Sequence, residues 1–266
     1  MTPGSRIGGL AVALEVEWLK LRRAPVAWTA AAAIAVLVPL VSLGGYALVR
    51  AGGASPSAEK ARAMVHGEGW DAVWSLGGQV VPIAVMLGAG IVGSWCVGRE
   101  FTDGTVSALY AATVPPDRVV TAKLLLVVAW AAAVSTVAVA AVLLGGTAMG
   151  LPPRAGLPPA VRSVAVGVLV ALSTLPTTWL ASVRRGYLAG IGGTLGLVVL
   201  TQLTVAAGGG SWVPWAAPAF WAGAAGPAAS AQVTALQLTL PAIVGMASAG
   251  AVIRWWRRAE LGNAAG

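Results

Sequence analysis

Apolar residues run in long unbroken blocks along this chain instead of alternating with polar ones. Six blocks, at roughly 27–49, 76–97, 124–149, 164–182, 187–207 and 233–253, contain no Asp, Glu, Lys, Arg or His. A helix rises about 1.5 Å per residue and a bilayer's hydrocarbon is about 30 Å thick, so about 20 such residues cross it. Each block predicts a membrane-spanning helix. Continuous, Ala-rich runs do not suit transmembrane strands, which alternate. The expected fold is all-α: one polytopic transmembrane domain over residues 1–266, with an entry helix before the first span.

Composition agrees. Of 266 residues, 58% are hydrophobic and 10% charged, where soluble domains carry about a quarter charged. Mean hydropathy is +0.82. A soluble domain, a disordered chain and a nucleic-acid-binding module are all excluded. The net charge of +8 instead sets orientation. With the N-terminus in the cytosol, six spans bring the C-terminus back to the same side, and twelve Lys and Arg fall inside against five outside. The positive-inside rule selects that arrangement. Tryptophans at span ends, such as Trp28, Trp95, Trp179, Trp255 and Trp256 inside and Trp70 and Trp74 outside, form the expected interfacial belt.

Before the first span, Ile7, Leu10, Leu14, Trp18 and Leu21 recur at three- and four-residue spacing, with Glu15, Lys20, Arg22 and Arg23 off the stripe. That pattern predicts a helix lying in the inner headgroup layer. It is not the pattern of a signal peptide, because charges interrupt the apolar part. In the first outer loop, a short surface helix is expected around residues 58–65, with His66 solvated. The first inner loop, 98–117, holds the run Arg99-Glu100-Phe101-Thr102-Asp103-Gly104-Thr105. Asp103-Gly104 signals a turn, Thr105 is placed to cap a short helix reaching about Ala112, Pro115-Pro116 ends it, and Asp117 can cap the next helix. Arg99, Glu100 and Asp103 are expected to face the cytosol. The last outer loop, 208–232, is apolar and carries Trp212, Pro214, Trp215 and Trp221. It reads as re-entrant or as lying in the outer interface. Pro39, Pro82, Pro176 and Pro241 predict kinks or local unwinding, and the pairs Gly186/Gly190, Gly192/Gly196 and Gly146/Gly150 allow close helix contact.

Several chemistries lack their residues. Cys96 and His66 stand alone of their kind, so no disulfide, cysteine-based metal site or histidine pair is available. No GxxxxGK[ST] loop cradles phosphate. The six blocks hold no ionisable group to couple transport to an ion gradient. Energy for uphill transport would have to come from a cytosolic partner.

Residues 98–125, with the inner run followed by Pro115, Arg118 and Ala122-Lys123-Leu124-Leu125, resemble the first cytoplasmic loop of ABC transporter permeases of the type-2 exporter class. Glu17-Trp18-Leu19-Lys20-Leu21-Arg22-Arg23 resembles the entry helix of the same family, and the order of parts agrees over nearly the whole chain. Pro115-Pro116-Asp117 departs from the single proline expected there. The resemblance implies a permease in the cytoplasmic membrane with both termini inside. It would pair with a second six-span subunit, as a homodimer or heterodimer, and bind separate ATPase subunits that carry ATP and Mg. It would hold no metal or cofactor of its own. Arg99, Glu100, Phe101, Thr102, Asp103, Gly104 and Thr105 would couple to the ATPase, with Phe101 as an apolar anchor. Glu17, Lys20, Arg22 and Arg23 would flank that contact, and Trp212, Pro214, Trp215 and Trp221 would belong to an external gate. The alternatives are a secondary carrier or channel, and a non-transporting scaffold or sensor subunit.

Overall fold

The computed structural model describes residues 3–52 and 55–258, with side chains from residue 9 onward. The Ile7 side chain, part of the predicted stripe, lies outside the described residues. Among these residues there are helices and no strands. In chain order they are α1 (Pro3–Arg22), α2 (Pro25–Arg50), α3 (Pro56–Met64), α4 (Trp70–Thr102), α5 (Val106–Ala111), α6 (Pro116–Ala148), α7 (Pro153–Ser173), α8 (Pro176–Val183), α9 (Tyr187–Ala206), α10 (Ala217–Trp221), α11 (Pro227–Ala231) and α12 (Ala235–Arg258). Six crossings result, from α2, α4, α6, α7 with α8, α9 and α12.

Proline punctuates many of the starts. Pro25, Pro56, Pro116, Pro153, Pro176 and Pro227 each occupy the first helical turn, where the missing N–H costs nothing. The predicted surface helix is α3, capped by Ser55, whose Oγ accepts from the Ala58 N–H at 3.2 Å. The connection between the third and fourth apolar blocks, 150–163, is mostly helical, because α7 begins at Pro153. Pro39, Pro82 and Pro241 lie inside unbroken helices, whereas Pro176 separates α7 from α8. At that break Ser173, Thr174, Thr177 and Thr178 donate to the carbonyls of Val170, Ala171, Thr174 and Leu175 at 2.7–2.8 Å. The same four carbonyls also accept the backbone N–H groups of Thr174, Thr177 and Thr178, so the hydroxyls add second donors around the break.

α4 is the axis of the bundle. Buried residues make up 78% of its most apolar stretch, against 17% for α9 and 22% for α2 and α12. It packs on α2, α6, α7, α8 and α9. Lipid tails are as apolar as the side chains, so helices associate through close packing more than through exclusion from water. Glycines on α4 supply that closeness. A methyl at Gly98 would overlap the Tyr187 backbone, one at Gly90 the Thr194 side chain, and one at Gly78 the Ala222 carbonyl. Of the predicted glycine pairs, Gly190 and Gly146 are used inside the chain, against Ser94 and Trp70, while Gly192 and Gly196 meet nothing within 4 Å.

Gly78→Val should drive α4 and the 216–223 stretch apart. Overpacking of this kind costs about 1–3 kcal/mol, visible as a lower melting temperature in detergent. Gly192→Val, facing open space, should melt like the parent.

Candidate functional site

The end of the bundle where α1 packs on α6 and α12 finishes gathers the candidate residues. On α1 the row facing α6 is Ala13, Glu17 and Leu21, with relative exposures of 3%, 5% and 4%. Leu10 and Leu14 flank it, as the spacing predicts. Trp18, on the same apolar stripe, is 49% exposed and sits at the edge of the row facing α6, not at its centre. The centre is the carboxylate of Glu17.

That carboxylate belongs to a buried square of alternating charge. Lys123 on α6 donates from Nζ to Glu17 Oε2 at 2.6 Å and to Glu100 Oε1 at 2.8 Å. Lys20 donates to Glu17 Oε1 at 2.6 Å and to Glu100 Oε1 at 3.3 Å. The Lys123, Glu17 and Glu100 side chains are 3%, 6% and 5% exposed, whereas Lys20 closes the open edge at 37%. The remaining Glu100 oxygen, Oε2, accepts from Thr105 Oγ1 at 2.6 Å. Two carboxylates and two ammonium groups cancel, and each carboxylate oxygen has a donor. Burial of charge is tolerable only on those terms.

The square corrects two expectations. Glu100 does not face the cytosol; it is the last buried residue of α4 and points inward. Thr105 sits at the N-cap position of α5 without a side-chain cap bond, because its hydroxyl serves Glu100. Asp117 likewise is not a cap. Helix α6 begins at Pro116 after an N-cap at Pro115, and Asp117 Oδ2 accepts from Arg257 at 3.0 Å.

Phe101 also turns inward. Its ring lies 5.8 Å from Trp255 and 5.1 Å from Trp256 of α12. Tyr110 of α5 stacks on Trp256 at 6.3 Å with an interplanar angle of 8°, and its hydroxyl donates to the Trp256 carbonyl at 2.8 Å. Burial pushes the pKa of that hydroxyl up against the pull of Arg185, so it stays a donor. Trp256 in turn donates from Nε1 to Ser182 Oγ at 3.0 Å. Thus α5 is held on one flank by the square and on the other by an aromatic cluster.

What remains outward is Thr102, Asp103, Gly104 and Thr105, with Ser107 and Ala108 on α5. Gly104 takes φ 69°, a left-handed turn that suits glycine. Arg99 lies 4.5 Å above the Trp95 ring and pairs with Asp103 at 3.4 Å. Arg22 and Arg23 are exposed at the end of α1. Between α1 and α5 runs a groove of about 280 Å³, lined chiefly by apolar residues such as Val12, Val16, Ala108, Leu109 and Val114. No group of His, Cys, Asp and Glu able to hold a metal occurs among the described residues.

At the opposite end, the 208–232 segment folds into the bundle as α10 and α11. Residues 216–220 are buried, and α10 packs on α4, α7 and α12. Trp215 and Trp221 pack partly buried against the core, and Pro214 is half-buried. Trp212 stands apart at 62% exposure.

Sequence reasoning passed over Lys123 as a site residue. The signal was there: one lysine on the face that also carries Val119, Val120, Leu124 and Val127, all buried. Lys123→Met should leave two buried carboxylates facing each other, at a cost of about 3–5 kcal/mol, and should lower both the folded yield and the melting temperature. Lys20→Met, at the open edge, should cost about 1 kcal/mol. Joint replacement of Glu17 and Glu100 by Gln with Lys123→Met should recover most of the stability. A single Lys123→Met that melts like the parent would contradict the square.

No curated protein and no solved structure matches the chain. The family model described as ABC-2 family transporter protein matches residues 13–201, a stretch that takes in the second half of α1, the charge square, α5 and the crossings through most of α9. The chain therefore belongs to the ABC-2 transporter family, as a multi-pass transmembrane permease subunit.

Proposed function

We propose that this chain is the membrane half of an ATP-driven exporter, a gate worked by a separate ATP-hydrolysing subunit docked on the end that carries α5. One observation carries the reading: α5 presents an exposed edge while Thr105, Glu100, Lys123 and Glu17 tie its base to α4, α6 and α1 at once. A push on α5 therefore reaches three helices together. The alternation of charge fixes their register, and the buried Lys123 cannot exchange its partners for solvent without cost.

In this reading Thr102, Asp103, Gly104, Thr105, Ser107 and Ala108 touch the ATPase, and the apolar groove beside α5 receives its complementary surface. Glu100 and Phe101 act behind the contact as supports, and Arg99 holds the turn through Asp103. Lys20, Arg22 and Arg23 flank the contact from α1. ATP and Mg are carried by the partner, since this chain has no phosphate-binding loop. A second six-span subunit, identical or not, completes the pathway. The exposed faces of α2, with Val36 and Leu40, and of α9, with Leu188, Val199 and Leu203, are available to lipid or to that subunit. The folded 208–232 segment, with Pro214, Trp215 and Trp221 against the bundle and Trp212 at its rim, serves as the external gate. Both termini lie in the cytosol and the protein resides in the cytoplasmic membrane.

Reconstituted alone, the chain should hydrolyse no ATP. With its ATPase, Ala108→Arg should cut transport-coupled hydrolysis about tenfold, the scale of one disrupted interface contact, while melting like the parent. Undiminished coupling would refute docking at α5. In a Cys96→Ala background, a membrane-impermeant thiol reagent applied to intact cells should label a cysteine at position 57 and spare one at position 107; the reverse pattern would overturn the orientation.

A further inference from the structure

A cavity of about 450 Å³ opens at the end opposite α5. Its wall includes His66, Asp71, Trp74, Arg162, Trp221 and Ser230. Two features set it apart from a gap between loops. Arg162, on the third turn of α7, is partly exposed and forms no hydrogen bond or ion pair with any described residue, so its guanidinium is open to a ligand. Asp71, exposed at the mouth, shares the cavity without pairing to it within 4 Å. The Trp74 and Trp221 side chains lie along the wall.

Each wall is held in place. Asp71 stands in the first turn of α4, His66 is fixed by its backbone N–H donating to Ser75 Oγ at 3.2 Å, and Ser230 donates to the Trp221 carbonyl at 2.8 Å. The Gly78 contact with Ala222 seats α10 beside α4. An unpaired cation and an unpaired anion, separated across a cavity with two indoles, complement a ligand that carries both charges and an apolar part. We propose that this cavity binds a zwitterionic amphiphile of the phosphocholine or phosphoethanolamine type. Its phosphate meets Arg162 through charge-assisted hydrogen bonds. Its ammonium lies near Asp71 and the indole faces of Trp74 and Trp221, and its apolar portion leaves toward the bilayer. Occupancy follows from the cavity itself; only a role as the last station of an export path rests on the function proposed above.

The test titrates the full chain in maltoside detergent, without any ATPase, with diheptanoyl-phosphatidylcholine, diheptanoyl-phosphatidylglycerol and free phosphocholine. Saturable binding of the zwitterionic lipid is expected, with Arg162→Gln weakening it about tenfold and Asp71→Asn weakening it less. Arg154→Gln, an exposed position on α7 outside the cavity, should bind like the parent. Ala231→Trp, entering the cavity from its exposed rim, should also abolish binding with every charge retained, which separates occupancy from misfolding in the charge variants. Displacement by phosphocholine would support a headgroup site open to soluble ligands, and no displacement would support one that requires the lipid. Unchanged affinity in both Arg162→Gln and Ala231→Trp would overturn the proposal, as would tighter binding of the anionic lipid in Asp71→Asn with no preference for the zwitterion. Because no nucleotide or ATPase enters the measurement, failure here leaves coupling at α5 untouched, and failure of coupling leaves this result standing.

Discussion

The meeting of α1, α4 and α6 depends on the electrostatics of one small volume. A lone Lys123 at that depth would have to lose its proton or its position, and a lone Glu17 or Glu100 would do the same with opposite sign. Placed in alternation, each charge is surrounded by its opposite at hydrogen-bond distance, and the square closes with Lys20 at the solvent edge. Such an arrangement adds little net stability over an apolar core of the same shape. What it supplies is register. A one-residue slip of α1 along α6 would rotate Glu17 away by about 100° and strand Lys123, so the entry helix has one allowed docking depth.

The outward surface follows from this inward one. Glu100 and Phe101 sit next to each other in sequence and leave α4 toward different neighbours, the first to the square and the second to Trp255 and Trp256. Between them they fix the end of α4 on two sides. The tight turn at Gly104 then reverses the chain and sets α5 across the gap, with Leu109 buried beneath it. A six-residue helix has almost no stability of its own; here tertiary contacts at both of its ends supply it.

Much of this was legible from hydropathy and charge. The six crossings, the surface helix α3, the turn at Asp103-Gly104 and the apolar nature of 208–232 follow from block length, proline placement and the absence of charge. Glu100 and Thr105 were misread because local rules assign an acidic residue to solvent and a threonine before a helix to a cap. Both rules yield when a lysine 18 or more positions downstream needs acceptors, a fact that lies in no window of neighbouring residues. Helical spacing puts Trp18 on the apolar stripe of α1, but spacing weighs apolar size and does not show that the Glu17 carboxylate occupies the centre of the row facing α6. The aromatic cluster joins residues 101 and 110 to residue 256, with Tyr110 and Trp256 lying 146 positions apart, and no periodicity connects them.

The interruption at Pro176 has a mechanical meaning. Helix α7 packs against α6, α4 and α12, whereas α8 lies against α9, α4 and α12, so the two parts of the fourth crossing keep partly different company. Thr174 and Leu175 join them, and the carbonyls there accept local hydroxyls in addition to backbone N–H groups. A tilt of one part can be absorbed by a few backbone torsions at this joint instead of being carried as rigid-body displacement from one face of the bilayer to the other, so the two membrane faces are free to rearrange at separate moments.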